Sequence, residues 1–223
     1  MELYGLKAVS YFTLVRHELI SLLPPRAKRV LEIGAGGGDT LLYIKEKGLA
    51  NEVVGVDICR IDESNQTNPL IDTFIIGDIE REDLNLPAGY FDAVILGDVI
   101  EHMADPWAAL KKIALLLAPD ATIILSTPNF RNLYNFHKIY VQGDFRYDPA
   151  GGLLDKTHLR FFCKKNIIDL LHTPEITFDS IRAIHDFPQH KFRPIVNIVN
   201  RLTFRAFEEF LVSQYIVVGK RRA

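Results

Sequence analysis

The segment Val30-Leu31-Glu32-Ile33-Gly34-Ala35-Gly36-Gly37-Gly38-Asp39 constrains this chain more than any other stretch. An apolar run that ends in a cluster of glycines reads as a buried strand turning sharply into a helix. Glycine reaches backbone conformations closed to other residues, but ordering several together carries a high entropic cost. A loop of this kind lets the backbone pass close to a ligand and aims the first helical N–H groups at it. A bare turn with no ligand leaves that glycine cost unexplained.

The remaining patterning alternates between strand and helix. A helix is expected over 9–23, ending at Pro24-Pro25, and a strand over 29–33. A helix follows at 39–47, stopped by Gly48, then strands at 53–56, 73–76 and 91–96. Pro106 opens a helix to about 117, because proline suits the first helical turn, and a fifth strand covers 121–126. This alternation, with nearly continuous apolar strands, implies a parallel sheet covered by helices on both faces. The segment 129–162 is rich in aromatic residues, too long for a connector, and reads as an acceptor-side insertion. Beyond it a helix is expected at 164–171, a strand at 176–184, a helix at 194–210 and a last strand at 214–218. No linker marks a second domain, so 1–223 reads as one domain.

The totals exclude several classes. A net charge of −2 gives no basic field for nucleic acid or an anionic membrane. The two cysteines, Cys59 and Cys163, form no CxxC pair, so neither a disulfide framework nor a zinc site is expected, as in a reducing compartment. The histidines show no HxH or HExxH spacing, and no metal is expected on that ground. No signal peptide or spanning run is evident, and a cytoplasmic location without stable membrane insertion is the expectation. The helix at 194–210 would suit the packing of a homodimer.

Two ligand classes use such a glycine loop, dinucleotides and S-adenosylmethionine (SAM). A dinucleotide fingerprint needs glycine or alanine where the pyrophosphate approaches the helix, and this chain has Asp39 there. A carboxylate repels a pyrophosphate but tolerates a sulfonium cation, so an NAD-dependent oxidoreductase is the weaker reading. Asp57 closes the second strand, where a carboxylate can accept both ribose hydroxyls, and Asp78 follows the third, where it can accept the adenine amino group.

From residue 28 to 128 the sequence resembles class I SAM-dependent methyltransferases, especially enzymes related to the ubiquinone-biosynthesis O-methyltransferases. The segments that carry the resemblance are Val30 to Gly38, Asp57, Asp78, Phe91-Asp92-Ala93-Val94-Ile95-Leu96-Gly97-Asp98-Val99-Ile100-Glu101-His102, and Leu115 to Ala121. Asp120-Ala121 departs from the usual pair of glycines, and Ala35 from a frequent cysteine. The resemblance implies a Rossmann-like, doubly wound α/β fold with a mostly parallel seven-stranded sheet and a C-terminal antiparallel hairpin. It implies SAM as cofactor, held by Glu32, Gly34, Ala35, Gly36, Gly38, Asp57, Ile58, Asp78, Ile79 and Gly97.

A second segment, Asp155-Lys156-Thr157-His158-Leu159-Arg160-Phe161-Phe162, is similar to one in methyltransferases associated with glycosyltransferases. That points by association to a small-molecule, sugar or polysaccharide-precursor acceptor, methylated on oxygen or nitrogen. A hydroxyl acceptor must lose a proton, for which histidine is apt. His158 is the first candidate base and His102 the second, with Asp155 and Arg160 as candidate acceptor-binding groups. Outside enzymes, the rival is a catalytically silent SAM-binding sensor or partner subunit.

Overall fold

The computed structural model describes residues 12–148, 151–185, 198, 201–203 and 207–222. Within them the chain runs α1 (His17–Ile20), β1 (Arg29–Ile33), α2 (Asp39–Glu46), β2 (Glu52–Asp57), β3 (Thr73–Ile76) and β4 (Phe91–Gly97). It continues as α3 (Pro106–Leu116), β5 (Leu117–Pro128), α4 (Leu133–Phe136), α5 (Lys164–Leu170), β6 (Ile176–Ile184) and β7 (Gln214–Arg221).

The sheet order is β3-β2-β1-β4-β5-β7-β6. β1 to β5 are parallel, with Ile33 beside both Val56 and Leu96. β7 runs antiparallel between β5 and β6. The expected fold is therefore present, closing hairpin included. β1 and β4 are neighbours in space although two strands intervene in sequence, and such a reversal opens a crevice at the strand C-termini.

Both faces of the sheet are dry. Leu31, Ile33, Val94, Leu96 and Ile123 pack with Leu110 and Ile113 of α3 and Ile167 of α5. On the other face Val30, Ala93, Ile95 and Ile124 pack with Leu19, Leu41 and Ile44. Alternate residues of one strand thus face opposite cores, which is why these strands are apolar without interruption. α3 begins as its sequence dictates: Pro106 opens its first turn, and the Asp105 side chain accepts from the Ala108 amide at 3.0 Å.

Three boundaries differ from expectation. The helix expected over 9–23 is confined, among the described residues beyond Phe12, to His17–Ile20, because residues 13–16 are drawn onto the glycine loop instead. There Phe12 O accepts from Gly37 N at 2.8 Å, and Arg16 N donates to Thr40 Oγ1 at 3.2 Å. β5 starts at Leu117 rather than 121, and Asp120 takes a φ of 62°, the left-handed region that Asp tolerates better than most residues. Most of the helix expected at 194–210 lies outside the described residues; 198, 201 and 202 are helical, and Glu208–Leu211 forms a 3-10 turn. Among the described residues no helix is long and apolar enough to cross a membrane.

Leu96 lies in the core at the middle of the sheet, whereas Leu115 on α3 is 57% exposed. Leu96→Ala should cost about 2–5 kcal/mol of stability, and Leu115→Ala about 0.5 kcal/mol or less, read from denaturant midpoints.

Candidate active site

The crevice is lined by the turns just beyond the C-terminal ends of β1, β2, β4 and β5. After β1, Gly34, Gly36 and Gly38 have φ values of 71°, 54° and 87°. Each is also crowded from a different direction. A Cβ on Gly34 would collide with Val99, one on Gly36 would lie 2.6 Å from Phe12 O, and one on Gly38 would lie 2.9 Å from Ile71 Cδ1. Both conformation and space therefore require glycine. Ala35 is buried, and its amide shares the Val56 carbonyl with that of Gly34.

At the end of β2, Asp57 Oδ2 accepts from Gly36 N at 2.7 Å and Oδ1 from Cys59 N at 2.8 Å. Burial raises its pKa, while amide donors from Cys59, Gly36 and Ile58 oppose that rise. Each carboxylate oxygen can still accept a second hydrogen bond, as a ribose diol requires. Gln66 closes the other side of the loop, donating to Gly36 O at 2.8 Å and to Cys59 O at 2.9 Å. Ile58 stands partly exposed beside this edge.

Glu32 on β1 is buried, and its Oε2 has no hydrogen-bond partner among the described residues. Burial pushes its pKa up to about 8, opposed by Arg16 and Thr40 and reinforced by Asp57 and Asp39.

After β4, Asp98 adopts a φ of 56° and gathers a network. Its carboxylate accepts from the Arg16 guanidinium, from the Gln214 side chain, and from Ser126 Oγ at 2.8 Å. Burial works against the charge on Arg16, yet Asp98 raises its pKa through charge and hydrogen bonding. Leu19 and Arg16 both crowd Gly97: a Cβ there would lie 2.9 Å from Leu19 Cδ1 and 3.1 Å from the guanidinium Nε. The sequence reading missed Arg16, Gln66 and Asp98 as members of this site. Only the position of Asp98 just past a strand end could have drawn attention to it.

Beyond β3, Gly77 N donates to Asp57 O at 2.9 Å, and Asp78 comes next in the chain. Its Oδ1 accepts from Glu80 N at 2.9 Å, and Oδ2 lies 3.6 Å from Arg81 Nε. Ile79 packs into the core.

The 3-10 turn Ile100–His102 meets the insertion directly. Glu101 O accepts from Leu159 N at 2.8 Å and from Arg160 N at 3.0 Å. His102 Nδ1 lies 3.2 Å from Thr157 O, and His158 Nδ1 lies 2.8 Å from Leu153 O. The two rings meet edge to face with centroids 4.7 Å apart. His158 is buried, and its Nε2 stands 4.0 Å from Glu101 Oε1. Glu101 is itself only 1% exposed, and burial, reinforced by the charge on Asp98, raises its pKa well above the usual carboxyl value.

Asp155 points inward, where Oδ1 accepts from Thr157 N at 2.9 Å and from Thr157 Oγ1 at 2.8 Å. The Arg160 guanidinium donates to the Ala104 and Leu159 carbonyls. These two side chains therefore hold His158 against the turn after β4. The structure brings His102 and His158 together.

Gly36→Ala should destabilise the loop, lowering the thermal midpoint, since no rotamer relieves a Cβ contact with backbone. Glu32 contributes stability in full below its usual value of 4.5, and that contribution is lost as pH rises through its folded value of about 8. Over that window the unfolded chain binds fewer protons, so stability falls with rising pH by up to about 1.4 kcal/mol per unit. Glu32→Gln should flatten the fall in a pH series of denaturant melts; an unchanged slope would mean that Glu32 does not titrate there.

A family model described as a methyltransferase domain matches residues 10–174. The ubiquinone biosynthesis O-methyltransferase of Cereibacter sphaeroides is 34% identical over 143 residues, covering 60% of this chain and 55% of that protein. The chain spans about half the length of such curated relatives. Among solved structures, a Listeria monocytogenes protein assigned as an S-adenosylmethionine dependent methyltransferase aligns with a TM-score of 0.63 at 18% identity, covering 93% of this chain and 96% of that one. The Burkholderia thailandensis 1,6-didemethyltoxoflavin-N1-methyltransferase, solved with its acceptor and S-adenosylhomocysteine, aligns at 0.59 and 16% identity, covering 93% and 76%. The strand order, the glycine loop and the extent of the family match lead to one assignment: this chain belongs to the methyltransferase-domain family.

Proposed function

We propose that the chain transfers a methyl group from SAM to an oxygen or nitrogen of a small molecule or saccharide precursor. The observation that carries this reading is the pairing of Asp57 with the glycine loop. A buried carboxylate bonded to Gly36 N stands beside a loop whose conformation only glycine adopts without strain. A ribose diol fits that carboxylate, and the sulfonium of SAM suits a crevice that gathers Glu32, Asp57 and Asp98. The same acids, with Asp39 beside the loop, oppose a pyrophosphate and hence a dinucleotide. The family match and the product-bound neighbour support the cofactor.

Glu32, Gly34, Ala35, Gly36, Gly38, Asp57 and Ile58 then form the cofactor edge. Gly97 adds to it where Leu19 and Arg16 cross the chain, and Asp78 with Ile79 completes it. The methyl carbon is already activated, so the protein contributes chiefly by positioning the acceptor in a water-poor site. We assign the acceptor proton to the His158–His102 pair, which the insertion holds beside the turn after β4. Asp155 and Arg160 act on the acceptor by fixing His158. Residues 129–162 are then an insertion of a single domain. With a net charge of −2, neither nucleic acid nor a membrane is a proposed partner, and the cytoplasm is the proposed location.

Calorimetric titration with SAM and with NAD tests the cofactor. SAM should bind and NAD should not, and Asp57→Ala should weaken SAM by about tenfold or more, or roughly 1.4 kcal/mol. Heat from NAD alone would sink the reading. Radiolabelled methyl transfer over a panel of hydroxyl and amine acceptors tests turnover. His158→Ala should lower turnover while leaving SAM affinity within a few-fold. Tight SAM binding without transfer to any acceptor would mark a sensor instead.

A further inference from the structure

Glu32 is buried where the sheet offers it no counter-charge. It lies two residues before Gly34, and its neighbours in register on either side are Gly55 and Ile95. Val30, Leu41, Ala93 and Ile95, all fully buried, make up the core on that face of the sheet. A carboxylate in such surroundings is costly unless a proton or a cation compensates it. Glu32 Oε2 has no hydrogen-bond partner among the described residues.

The groups that face Glu32 bring more negative charge than positive. The segment before α1 supplies Arg16, but that guanidinium is paired with Asp98 beyond β4 and lies 3.9 Å from Glu18 Oε1. The first turn of α2 supplies Asp39 and Thr40, and the end of β2 supplies Asp57. Asp39 Oδ2 is likewise buried without a hydrogen bond, while its Oδ1 accepts from Asn65 Nδ2 at 3.1 Å. Both oxygens of Asp57 are engaged by the amides of Gly36 and Cys59. In the free protein a proton is therefore the compensation open to Glu32, in keeping with a pKa raised by burial to about 8.

We infer that Glu32 distinguishes SAM from S-adenosylhomocysteine by releasing its proton to solvent when the sulfonium binds and recovering it once that charge is gone. This rests on the proposed methyl transfer and extends it to product release. SAM carries an ammonium, a carboxylate and a sulfonium, and so has a net positive charge. The demethylated product keeps the first two groups and is neutral. When SAM binds, its cation takes over the compensation, and the Glu32 carboxyl group loses its O–H proton to water. Methyl transfer then breaks the carbon–sulfur bond, leaves the bonding pair on sulfur and removes the positive charge. The Glu32 carboxylate is again uncompensated and takes a proton from water, so the product is held less tightly than the cofactor. Asp57 does not make this distinction, since the ribose diol that fits it is common to both ligands.

The direction of the pH dependence follows. Below about pH 8 free Glu32 holds its proton, and SAM must expel it, so SAM binds more tightly as pH rises. Above that value no proton remains to be expelled, and the gain ends.

The full chain should be titrated calorimetrically with SAM and with S-adenosylhomocysteine, in buffers of different ionisation enthalpy, from about pH 6 to 9. Near neutral pH, SAM should release up to about one proton and S-adenosylhomocysteine clearly fewer. The preference for SAM should grow by up to about tenfold per pH unit below the Glu32 midpoint and level off above it. Glu32→Gln, which keeps the shape without the titrating proton, should abolish the difference in proton release and flatten the pH profile. Thr40→Val removes a group that opposes the rise in the Glu32 pKa, so the levelling-off should move to higher pH; this variant decides if Glu32→Gln fails to fold. Equal proton release by the two ligands would overturn the inference, as would a difference that survives Glu32→Gln or a midpoint that Thr40→Val leaves in place. SAM binding with a heat independent of buffer removes this inference alone, whereas no SAM binding at any pH removes the methyl-transfer reading.

Discussion

The crevice depends on a loop that has no room for side chains. Val99 from beyond β4, the Phe12 carbonyl from the N-terminal segment and Ile71 from before β3 all press on positions 34, 36 and 38. Three segments distant in sequence thus pack against one backbone, and the left-handed φ of each glycine is what permits it. Replacing any of these hydrogens with a methyl group would strain the loop and displace a different neighbour. The glycines therefore do more than turn a strand into a helix. They seat the N-terminal segment, which in turn carries Arg16 to Asp98.

Charge is organised around that contact. Glu32, Asp57, Asp98 and Glu101 converge near the strand ends, and the Arg16 guanidinium lies among them, paired with Asp98. Burial and mutual repulsion keep Glu32 and Glu101 prone to hold protons. Such a site favours ligands that bring positive charge. A sulfonium cofactor is one such ligand, at the glycine side.

The insertion is joined to this arrangement by its backbone as well as by side chains. The isolated bridge between Asn129 and Phe162 ties its two ends together, and Asn129 Nδ2 donates to Val212 O at 2.9 Å. Its middle packs through aromatic contacts, with Phe130 against Phe161 at 4.8 Å between ring centroids. The aromatic richness of 129–162 thus serves partly to hold the insertion to itself. The short turn after β4 then locks His158 into place.

The sheet, most helices and the candidate cofactor edge were legible from the order of residues alone. Those features are local: apolar runs of strand length, glycines at one turn, and acids at strand ends all act within a few residues of themselves. β6 was legible to the residue because apolar and polar side chains alternate over most of its length. What distant segments do to one another emerged only in the folded molecule. The helical pattern over 9–23 yielded to contacts with Gly37 and Thr40, and Gly97 proved to be crowded by Leu19 and Arg16. The contacts of Asp155 with Thr157, and of the Arg160 guanidinium with backbone carbonyls, likewise appear only in the fold. Glu101 became notable only once folding buried both of its oxygens beside His158. Periodicity reports which face of an element is apolar, whereas the partner of a buried charge is fixed by packing between segments that the sequence keeps far apart.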